Sequence, residues 1–315
     1  MSDALCMGLT PAWAREGGGL IVVALHSLCR TRAQLHHPAL APGQNVCLDD
    51  VRSLVAAVLA SGYTFVSPDD VAAGLPSGSR CAMLTFDDGY FNNVLALDVL
   101  DEFQVPAAFF ISSGHVLQGK CFWWDAVSRE LAQAGASRAA RAAELRRLKA
   151  LAPAAIEAAL RARFGPEVLR PRGDGDRPFT AVELADFARH RWVHIGNHTV
   201  DHAILTRCSP GELRHQVGQC QEALQTITGR APVAIAYPNG NHSAAVVAAA
   251  RAAGLRLGLT VHPAKNRLPL APDSPRLMEL ARFYFHGRPD PALEFRSYRC
   301  GFLPSRLVRT MLQPA

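Results

Sequence analysis

Two adjacent carboxylates follow one of the apolar runs of the chain. Asp87 and Asp88 come directly after residues 82–86, and Gly89 follows them. Neighbouring side chains at the end of a strand diverge, so one carboxylate can ligate a metal while the other holds a water. Glycine allows the chain to turn sharply at such a junction. The pair therefore indicates either a hydrolytic site or an ordinary solvated turn, because Asp-Asp-Gly is also a common turn sequence.

Two histidines form a second candidate group. His198 and His202 are four residues apart, so on a helical turn their imidazoles would share one face, which suits two ligands of one metal. With Asp88 they make a two-histidine, one-carboxylate set, which occurs in non-haem iron oxygenases and in metal-assisted hydrolases. The extra carboxylate of Asp87 favours hydrolysis, because an attacking water needs a base. Since the chain has twelve histidines, two unrelated surface histidines are the alternative.

A third candidate element is the turn at the end of another apolar run. The run 233–236 is followed by Tyr237, Pro238, Asn239 and Gly240. Backbone N–H groups exposed at such a strand end can stabilise an oxyanion. We expect this turn to lie at the same edge of the fold as the two aspartates, although by itself the sequence is typical of an ordinary turn.

Short apolar runs that alternate with helical patterns must position these side chains. The alternation predicts parallel β/α units, and hence an α/β barrel of seven to eight strands with its chemistry at the carboxyl ends of the strands. An open doubly wound sheet is the alternative. Helical patterns fill the intervals, two of them over residues 90–103 and 210–228. The predicted strands cover residues 20–25, 63–66, 81–86, 107–112, 193–196, 233–237, 257–261 and 277–283.

The alternation is interrupted over about residues 121–177 by an Ala- and Arg-rich helical pattern. We interpret this segment as a basic helical insertion in a single domain of residues 1–315, because it is too short and too polar for an independent core. Between Arg138 and Arg172 there are nine bases and three acids, so this part alone equals the net charge of the whole chain, +6. An Arg-rich tail at about 286–315 includes Arg296, Arg299, Arg306 and Arg309.

The basic insertion has two interpretations. It is either a solvated helical face packed on the rim of the barrel, or a surface that holds a phosphorylated substrate or makes peripheral contact with an anionic membrane. Because the remainder of the chain is close to neutral, the charge pattern argues against binding of nucleic acid.

The composition excludes several classes of protein. Of the 315 residues, 49% are hydrophobic and 19% are charged, which is a globular composition and not a disordered one. No apolar run reaches the roughly 18–20 residues of a membrane span, and the first residues lack the features of a secretory signal. The eight cysteines show no regular spacing, which is typical of free thiols in a reducing compartment. The sequence therefore predicts a cytoplasmic protein and leaves its oligomeric state open.

Three motifs together resemble those of the polysaccharide deacetylases of carbohydrate esterase family 4, which include the chitooligosaccharide deacetylases. They are Thr85-Phe86-Asp87-Asp88-Gly89, His198-Thr199-Val200-Asp201-His202 and Tyr237-Pro238-Asn239-Gly240. The resemblance implies a distorted (β/α) barrel and divalent-metal-dependent hydrolysis of an N-acetyl or related acyl group on an amino sugar. It implies zinc as the metal, with cobalt, nickel or manganese as alternatives. The implied roles are those of catalytic base for Asp87, metal ligands for Asp88, His198 and His202, and oxyanion donor for the N–H of Asn239.

The chain departs from the family pattern in two places, namely the residue that orients the catalytic base and the residue that supplies the general acid. Ala236 stands where the family often has an arginine that orients the base, and we expect Arg282 to approach Asp87 instead. The late motif that supplies the general acid is not clear, and His26, which resembles a strand-end histidine of one family branch, is the candidate acid. The expected substrate is an N-acetylated sugar of glycan or polysaccharide biosynthesis, carried on a nucleotide or a lipid phosphate. The alternatives are a hydrolase of a non-sugar amide or imide and a non-catalytic carbohydrate-binding protein on the same fold.

Overall fold

The computed structural model describes residues 18–36, 45–287 and 290–299. The prediction about a secretory signal, which concerns the first residues, lies outside this part of the chain. The same holds for Arg306 and Arg309 of the Arg-rich tail.

The fold is built around a curled parallel sheet. Its strands follow one another in the order β10-β1-β5-β6-β7-β8-β9, with β4 also paired to β5, and a small second sheet joins β2 to β3. The central strands β1 and β6 are apolar and buried over their whole length, as expected where both faces of a parallel sheet are covered. Their bounds are Gly19–Leu25 (β1), Ser27–Cys29 (β2), Asn45–Cys47 (β3), Thr64–Phe65 (β4), Arg80–Phe86 (β5), Ala107–Ile111 (β6), Val193–Asn197 (β7), Ala234–Ala236 (β8), Leu257–Leu259 (β9) and Phe283–Tyr284 (β10).

Backbone contacts carry the sheet around from β9 to β10. Leu259 and Leu280 form a parallel bridge, and the N–H of Thr260 donates to the carbonyl of Leu280 at 2.8 Å. The predicted strand over 277–283 is wrong in its extent, because residues 275–279 form a 3₁₀ turn and only Phe283 and Tyr284 pair with β1. The predicted class, a distorted α/β barrel of seven to eight strands, is confirmed.

Helices cover the outside of the barrel. Two predicted helices differ in detail. The pattern over 90–103 gives a 3₁₀ turn over 91–95 before its α-helix, and the pattern over 210–228 is interrupted by a π-helical turn over 215–219. The α-helices are Leu48–Ala60 (α1), Pro68–Ala73 (α2), Ala96–Phe103 (α3), Ser113–Gln118 (α4), Trp123–Gln133 (α5), Arg138–Leu148 (α6), Pro153–Phe164 (α7), Ala181–Phe187 (α8), Pro210–Arg214 (α9), Cys220–Thr228 (α10), Ala244–Ala252 (α11) and Pro291–Arg299 (α12).

Successive side chains of the strands enter two different parts of the core. Ile21 and Val23 of β1 belong to a cluster that includes residues of α1, α3, α8 and α10. The residues that alternate with them, Leu20 and Val22, join a cluster with side chains of β5, β6, β8 and β9. Strands that are not neighbours share this second cluster because their inward side chains meet across the interior of the barrel. The sheet is therefore buried on both faces and holds its strand ends rigidly.

Helices α5, α6 and α7 occupy the predicted insertion and surround a small apolar cluster of their own, which includes Val127, Leu148, Ile156 and Leu160. Arg129 of α5 ties this group to the following loop through an ion pair with Asp176 at 2.6 Å. Over the ranges that the structure describes, no helix is long and apolar enough to cross a membrane.

Candidate active site

The candidate residues surround a cavity of about 420 Å³ at the carboxyl ends of the strands. This is the end at which barrels of parallel strands place their chemistry, since the loops after the strands converge there. The residues named from the sequence that line it are His26 after β1, Asp87 and Asp88 after β5, His198 and His202 after β7, and Asn239 after β8. Arg282, just before β10, lies behind Asp87 and not in the cavity wall.

Asp88, His198 and His202 meet at one point of this cavity. Their potential ligand atoms all lie within 4.8 Å of one another. The Nε2 atom of each imidazole is 3.4 Å from Oδ1 of Asp88. Two buried residues and one partly exposed residue thus offer a carboxylate and two imidazoles to a single position.

The two histidines come together for a different reason from the one predicted. Residues 198–202 form an irregular loop and not a helical turn, with Thr199 and His202 at positive φ values of 68° and 51°. The side chain of Asn197 holds the loop by accepting the N–H of Thr199 at 2.9 Å, and the Thr199 hydroxyl accepts the N–H of Ala203 at 3.1 Å. This local turn brings the two imidazole centroids to 4.8 Å.

A backbone carbonyl fixes the orientation of His198. Its Nδ1–H donates to the carbonyl oxygen of Ala236 at 2.8 Å, which leaves the lone pair of Nε2 on the side of Asp88. Metal-ligating histidines commonly make such a bond, because it sets the tautomer and the ring orientation. The position at which the family arginine is missing thus contributes its backbone to the site.

The environment of Asp88 fits a bound cation. Both of its carboxylate oxygens are buried, and in the part of the chain that the structure describes neither has a hydrogen-bond partner. The imidazole nitrogens at 3.4 Å lie beyond the roughly 2.7–3.2 Å of an N–H···O hydrogen bond. Burial would raise the pKa of Asp88, but the facing imidazoles, His198 first, hold it below its ordinary value. An ionised, buried carboxylate without donors is costly unless a cation is present.

His202 is in the form that binds metals. Burial, followed by the proximity of His198, lowers the pKa of His202 to about 3, so its imidazole is neutral at physiological pH. A neutral imidazole has the lone pair that a metal ligand needs. Three protein ligands at the wall of an open cavity are typical of catalytic zinc sites, which keep a further position for water or substrate.

Asp87 is held by Arg282 in a bidentate ion pair. The guanidinium Nη1 and Nη2 atoms lie 2.7 and 2.8 Å from Oδ1 and Oδ2 of the carboxylate, and its Nε–H donates to the carbonyl of Thr260 at 2.8 Å. Burial would raise the pKa of Asp87, but the guanidinium outweighs it and holds the pKa well below the ordinary value. The pair leaves Asp87 ionised at the wall of the cavity, beside the candidate ligand Asp88.

His26 also lines the cavity, and it packs against a residue that no sequence motif indicated. Its ring stacks on that of Tyr284, with centroids 5.5 Å apart and planes 5° from parallel. Tyr284 also lines the cavity, and burial raises the pKa of its phenol to about 12. The signal in the sequence is its place at the carboxyl end of the last strand.

Aromatic side chains from the insertion complete the wall. Trp123 and Trp124 both line the cavity, and Trp124 is also packed in the protein with 7% of its surface exposed. The indole Nε1–H of Trp124 donates to the hydroxyl of Tyr90 at 2.8 Å, and that hydroxyl donates to Asp125 at 2.6 Å. The Trp124 ring lies 4.8 Å from the ring of His202, so this network supports a candidate ligand as well as the wall.

The turn after β8 brings Asn239 to the rim. Asn239 has a positive φ of 60° within the turn 238–240, and it lines the cavity. Gly240 follows at a φ of 72°, where a Cβ atom would come within 2.5 Å of the Val261 side chain. The tight fit against Val261, two residues after β9, fixes this turn at the edge of the site.

Comparison with known proteins gives a family match and several solved structures of similar fold. The family model for polysaccharide deacetylase matches residues 75–163 and 180–258, which is just over half of the chain. No curated protein matches the chain significantly.

Solved structures share the fold at low sequence identity. The polysaccharide deacetylase BC0361 from Bacillus cereus is 16% identical, with a TM-score of 0.59 over 90% of this chain and 69% of that one. The Streptococcus pyogenes deacetylase PplD, solved with acetate, is 16% identical with a TM-score of 0.59 over 90% of this chain and 99% of that one. IcaB from Ammonifex degensii is 15% identical, with a TM-score of 0.58 over 90% of this chain and 98% of that one.

Proposed function

The chain belongs to the polysaccharide deacetylase family, and we propose that it removes an N-acetyl group from an amino sugar by metal-dependent hydrolysis. It is accordingly a hydrolase of carbon–nitrogen bonds other than peptide bonds. The observation that supports the metal-dependent mechanism best is the contrast between two adjacent buried carboxylates. Asp87 is paired with Arg282 through two hydrogen bonds, whereas neither carboxylate oxygen of Asp88 accepts one from the described residues.

This contrast assigns different roles to the two aspartates. Asp88, His198 and His202 would hold a divalent metal, for which we propose zinc. Such a metal, when bound, supplies Lewis acidity to a water and to the acyl carbonyl oxygen. Asp87 takes the proton of the attacking water, and Arg282 keeps that carboxylate ionised and correctly oriented.

Two further groups act on the other atoms of the amide. The backbone N–H of Asn239 stabilises the negative charge that develops on the carbonyl oxygen. His26 donates a proton to the departing nitrogen, and its stacking on Tyr284 holds the ring in place for this transfer. Water and the N-acetyl sugar are thereby converted to acetate and a free amino sugar, a step that we place in glycan or polysaccharide biosynthesis.

Release of acetate from N-acetylated sugar oligomers tests this function. We expect turnover by the zinc-loaded protein, its loss after chelation and its return when zinc is restored. Turnover of a cyclic imide or a non-sugar amide without turnover of any N-acetyl sugar would instead indicate the non-sugar hydrolase. Sugar binding without any acetate release by the zinc-loaded protein would indicate a carbohydrate-binding protein.

A further inference from the structure

Three cationic side chains line the same cavity as the candidate metal ligands. Arg146 and Lys149 come from the end of α6 and the residue after it, and Arg207 comes from the loop that follows His202. The guanidinium of Arg207 donates to the backbone carbonyl of Lys149 at 2.8 Å, which joins the two segments. Within residues 18–36, 45–287 and 290–299, none of the three cations has an ion-pair partner, and all three are exposed.

The acidic side chains of the cavity have partners other than these three cations. Asp87 is paired with Arg282, and Asp88 belongs to the candidate ligand set. Asp201 accepts from Gln216 at 2.9 Å and lies 3.4 Å from Lys120. The fourth acid, Glu212, accepts the N–H of Ser209 at 2.7 Å in the cap of α9. In the described part of the chain, none of these carboxylates therefore lies within ion-pair distance of Arg146, Lys149 or Arg207.

Other cations of the basic insertion are engaged away from the cavity. Arg147 and Arg163 both pair with Glu144, at 2.8 and 2.9 Å, and Arg161 pairs with Glu157 at 3.1 Å. None of these three arginines lines the cavity. The structure thus distinguishes three arginines that are paired within the insertion from two of its cations, Arg146 and Lys149, that line the cavity.

The two adjoining cations also repel each other. Desolvation, followed by the charge of the Arg207 guanidinium, lowers the pKa of Lys149. Like charges placed together cost free energy unless an anion lies between them. Arginine and lysine side chains converging on one wall of a sugar-sized cavity are the usual means of binding phosphate oxygens.

We propose that Arg146, Lys149 and Arg207 bind a phosphate group on the substrate, so that the enzyme acts on a phosphorylated N-acetyl sugar. The phosphate proposal rests on the proposed function, because that function places the sugar in the cavity. The presence of the three cations in the cavity wall does not depend on that function. The phosphate would belong to a nucleotide or to a lipid carrier. Apolar side chains beside the cations suit a hydrocarbon chain, and they are Leu145, Leu151, Pro153 and Ile156.

Binding to the metal-free protein tests the phosphate site without any turnover. The probes are N-acetylglucosamine 1-phosphate and neutral N-acetylglucosamine, measured by calorimetry. We expect the wild type to bind the phosphorylated sugar roughly tenfold or more tightly than the neutral one. In a triple variant with Arg146→Gln, Lys149→Gln and Arg207→Gln, we expect this preference to fall to within about twofold, because no cation then faces the phosphate.

The matched control removes the same number of charges from the arginines that are paired within the insertion. It carries Arg147→Gln, Arg161→Gln and Arg163→Gln, and we expect it to keep the preference of the wild type. Equal binding of the two sugars by the wild type would overturn the proposal. Equal loss of preference in both triple variants would also overturn it, because the effect would then come from net charge and not from a site.

Two further experiments identify the group that carries the phosphate and test for binding to a membrane. A higher kcat/KM for UDP-N-acetylglucosamine or for prenyl-phosphate-linked N-acetylglucosamine than for the free sugar supports the proposal, and the better of the two is the carrier. The rival is binding to an anionic membrane. If the wild type sediments with anionic vesicles in a salt-dependent way, and the triple variant at Arg146, Lys149 and Arg207 loses this sedimentation but keeps the preference for the phosphorylated sugar, the cations bind a membrane and the proposal is overturned.

The two proposals fail in different ways. A retained phosphate preference with no acetate release from any N-acetyl sugar would contradict the proposed function and leave the phosphate site standing. Acetate release without any phosphate preference would contradict the phosphate site alone.

Discussion

At the scale of single residues, the two adjacent aspartates have opposite partners. Asp87 meets a guanidinium that satisfies both of its oxygens. Asp88 has two imidazoles at 3.4 Å, and among the described residues neither of its oxygens has a hydrogen-bond partner. Neighbouring positions after a strand point in different directions, so one loop can serve a base and a metal ligand at once. The sequence motif offers the two carboxylates, and the distribution of their partners separates their roles.

The role of Asp87 as a base predicts a specific defect in the Asp87→Asn variant. Asparagine keeps the size of the side chain but cannot take a proton from water, so we expect kcat to fall by roughly 10²–10⁴-fold. Zinc content should stay at the wild-type value, because Asp87 is not in the ligand set. Metal analysis and steady-state kinetics on the same preparation check both expectations, and near-normal turnover would assign Asp87 a structural role.

The role of Arg282 as a positioning residue predicts a shift in the pH profile. In the wild type the guanidinium keeps the pKa of Asp87 low, so the base is ionised well into the acid range. In Arg282→Gln, burial remains and the guanidinium is lost, so the pKa of Asp87 rises. The acid limb of kcat/KM should therefore move to higher pH by about one unit or more.

Arg282→Lys provides the matched comparison, because it keeps the charge and loses only the two-pronged geometry. We expect its acid limb to lie between those of the wild type and Arg282→Gln. A lower kcat with an unmoved acid limb in both variants would show that Arg282 acts on packing and not on the ionisation of Asp87.

At the scale of elements, strand β7 and its loop depend on close packing with β6. Gly196 pairs with Phe110 across the two strands, and a Cβ atom at Gly196 would lie 2.3 Å from the Phe110 ring. That ring is fully buried, so it cannot move aside without disturbing the barrel interior. Position 196, two residues before the histidine loop, must therefore be a glycine.

Gly196→Ala should consequently destabilise the protein. We expect a loss of about 1–3 kcal/mol in the free energy of unfolding, from overpacking against Phe110. Gly211→Ala in α9 is the control, since no atom lies within 4 Å of its added Cβ and we expect little change or a slight gain. Urea unfolding of both variants checks the prediction, and equal stability of the two would show that the strand pair can adjust.

At the scale of the whole molecule, the barrel assembles a site from the entire length of the chain. Residues as far apart in sequence as His26 and Tyr284 line one cavity, because parallel strands place all their carboxyl ends at the same end of the barrel. A metal bound only by the folded protein must therefore stabilise the whole fold. This gives a test of the ligand set that does not depend on the substrate.

Zinc at about 100-fold above its dissociation constant should add about 2.7 kcal/mol to the free energy of unfolding of the wild type. Thermal unfolding with and without zinc measures this effect as a rise in Tm. We expect Asp88→Asn to lose most of the rise and Asp87→Asn to keep it. An equal zinc-dependent rise in Asp88→Asn and wild type would place the metal elsewhere.

The sequence by itself determined the local parts of the site. Apolar runs followed by Asp87-Asp88-Gly89 or by Pro238-Asn239-Gly240 specify strands and the turns that end them, because side-chain pattern and turn residues act over a few positions. Parallel β/α order then places these turns at one end of the fold. The pairing of His198 with His202 also follows from their short separation, although the loop that produces it is irregular and not helical.

Only the tertiary structure decided which distant groups meet. The expectation that Arg282 approaches Asp87 came from the family resemblance and from no local pattern. The ion pair spans 195 positions of sequence and depends on the course of the chain beside β9 before β10. The same holds for Lys149 and Arg207, whose segments join at the cavity while nearby arginines pair within the insertion. Residue composition records the number of charges, but their partners depend on how elements pack, and long-range packing carries no local pattern.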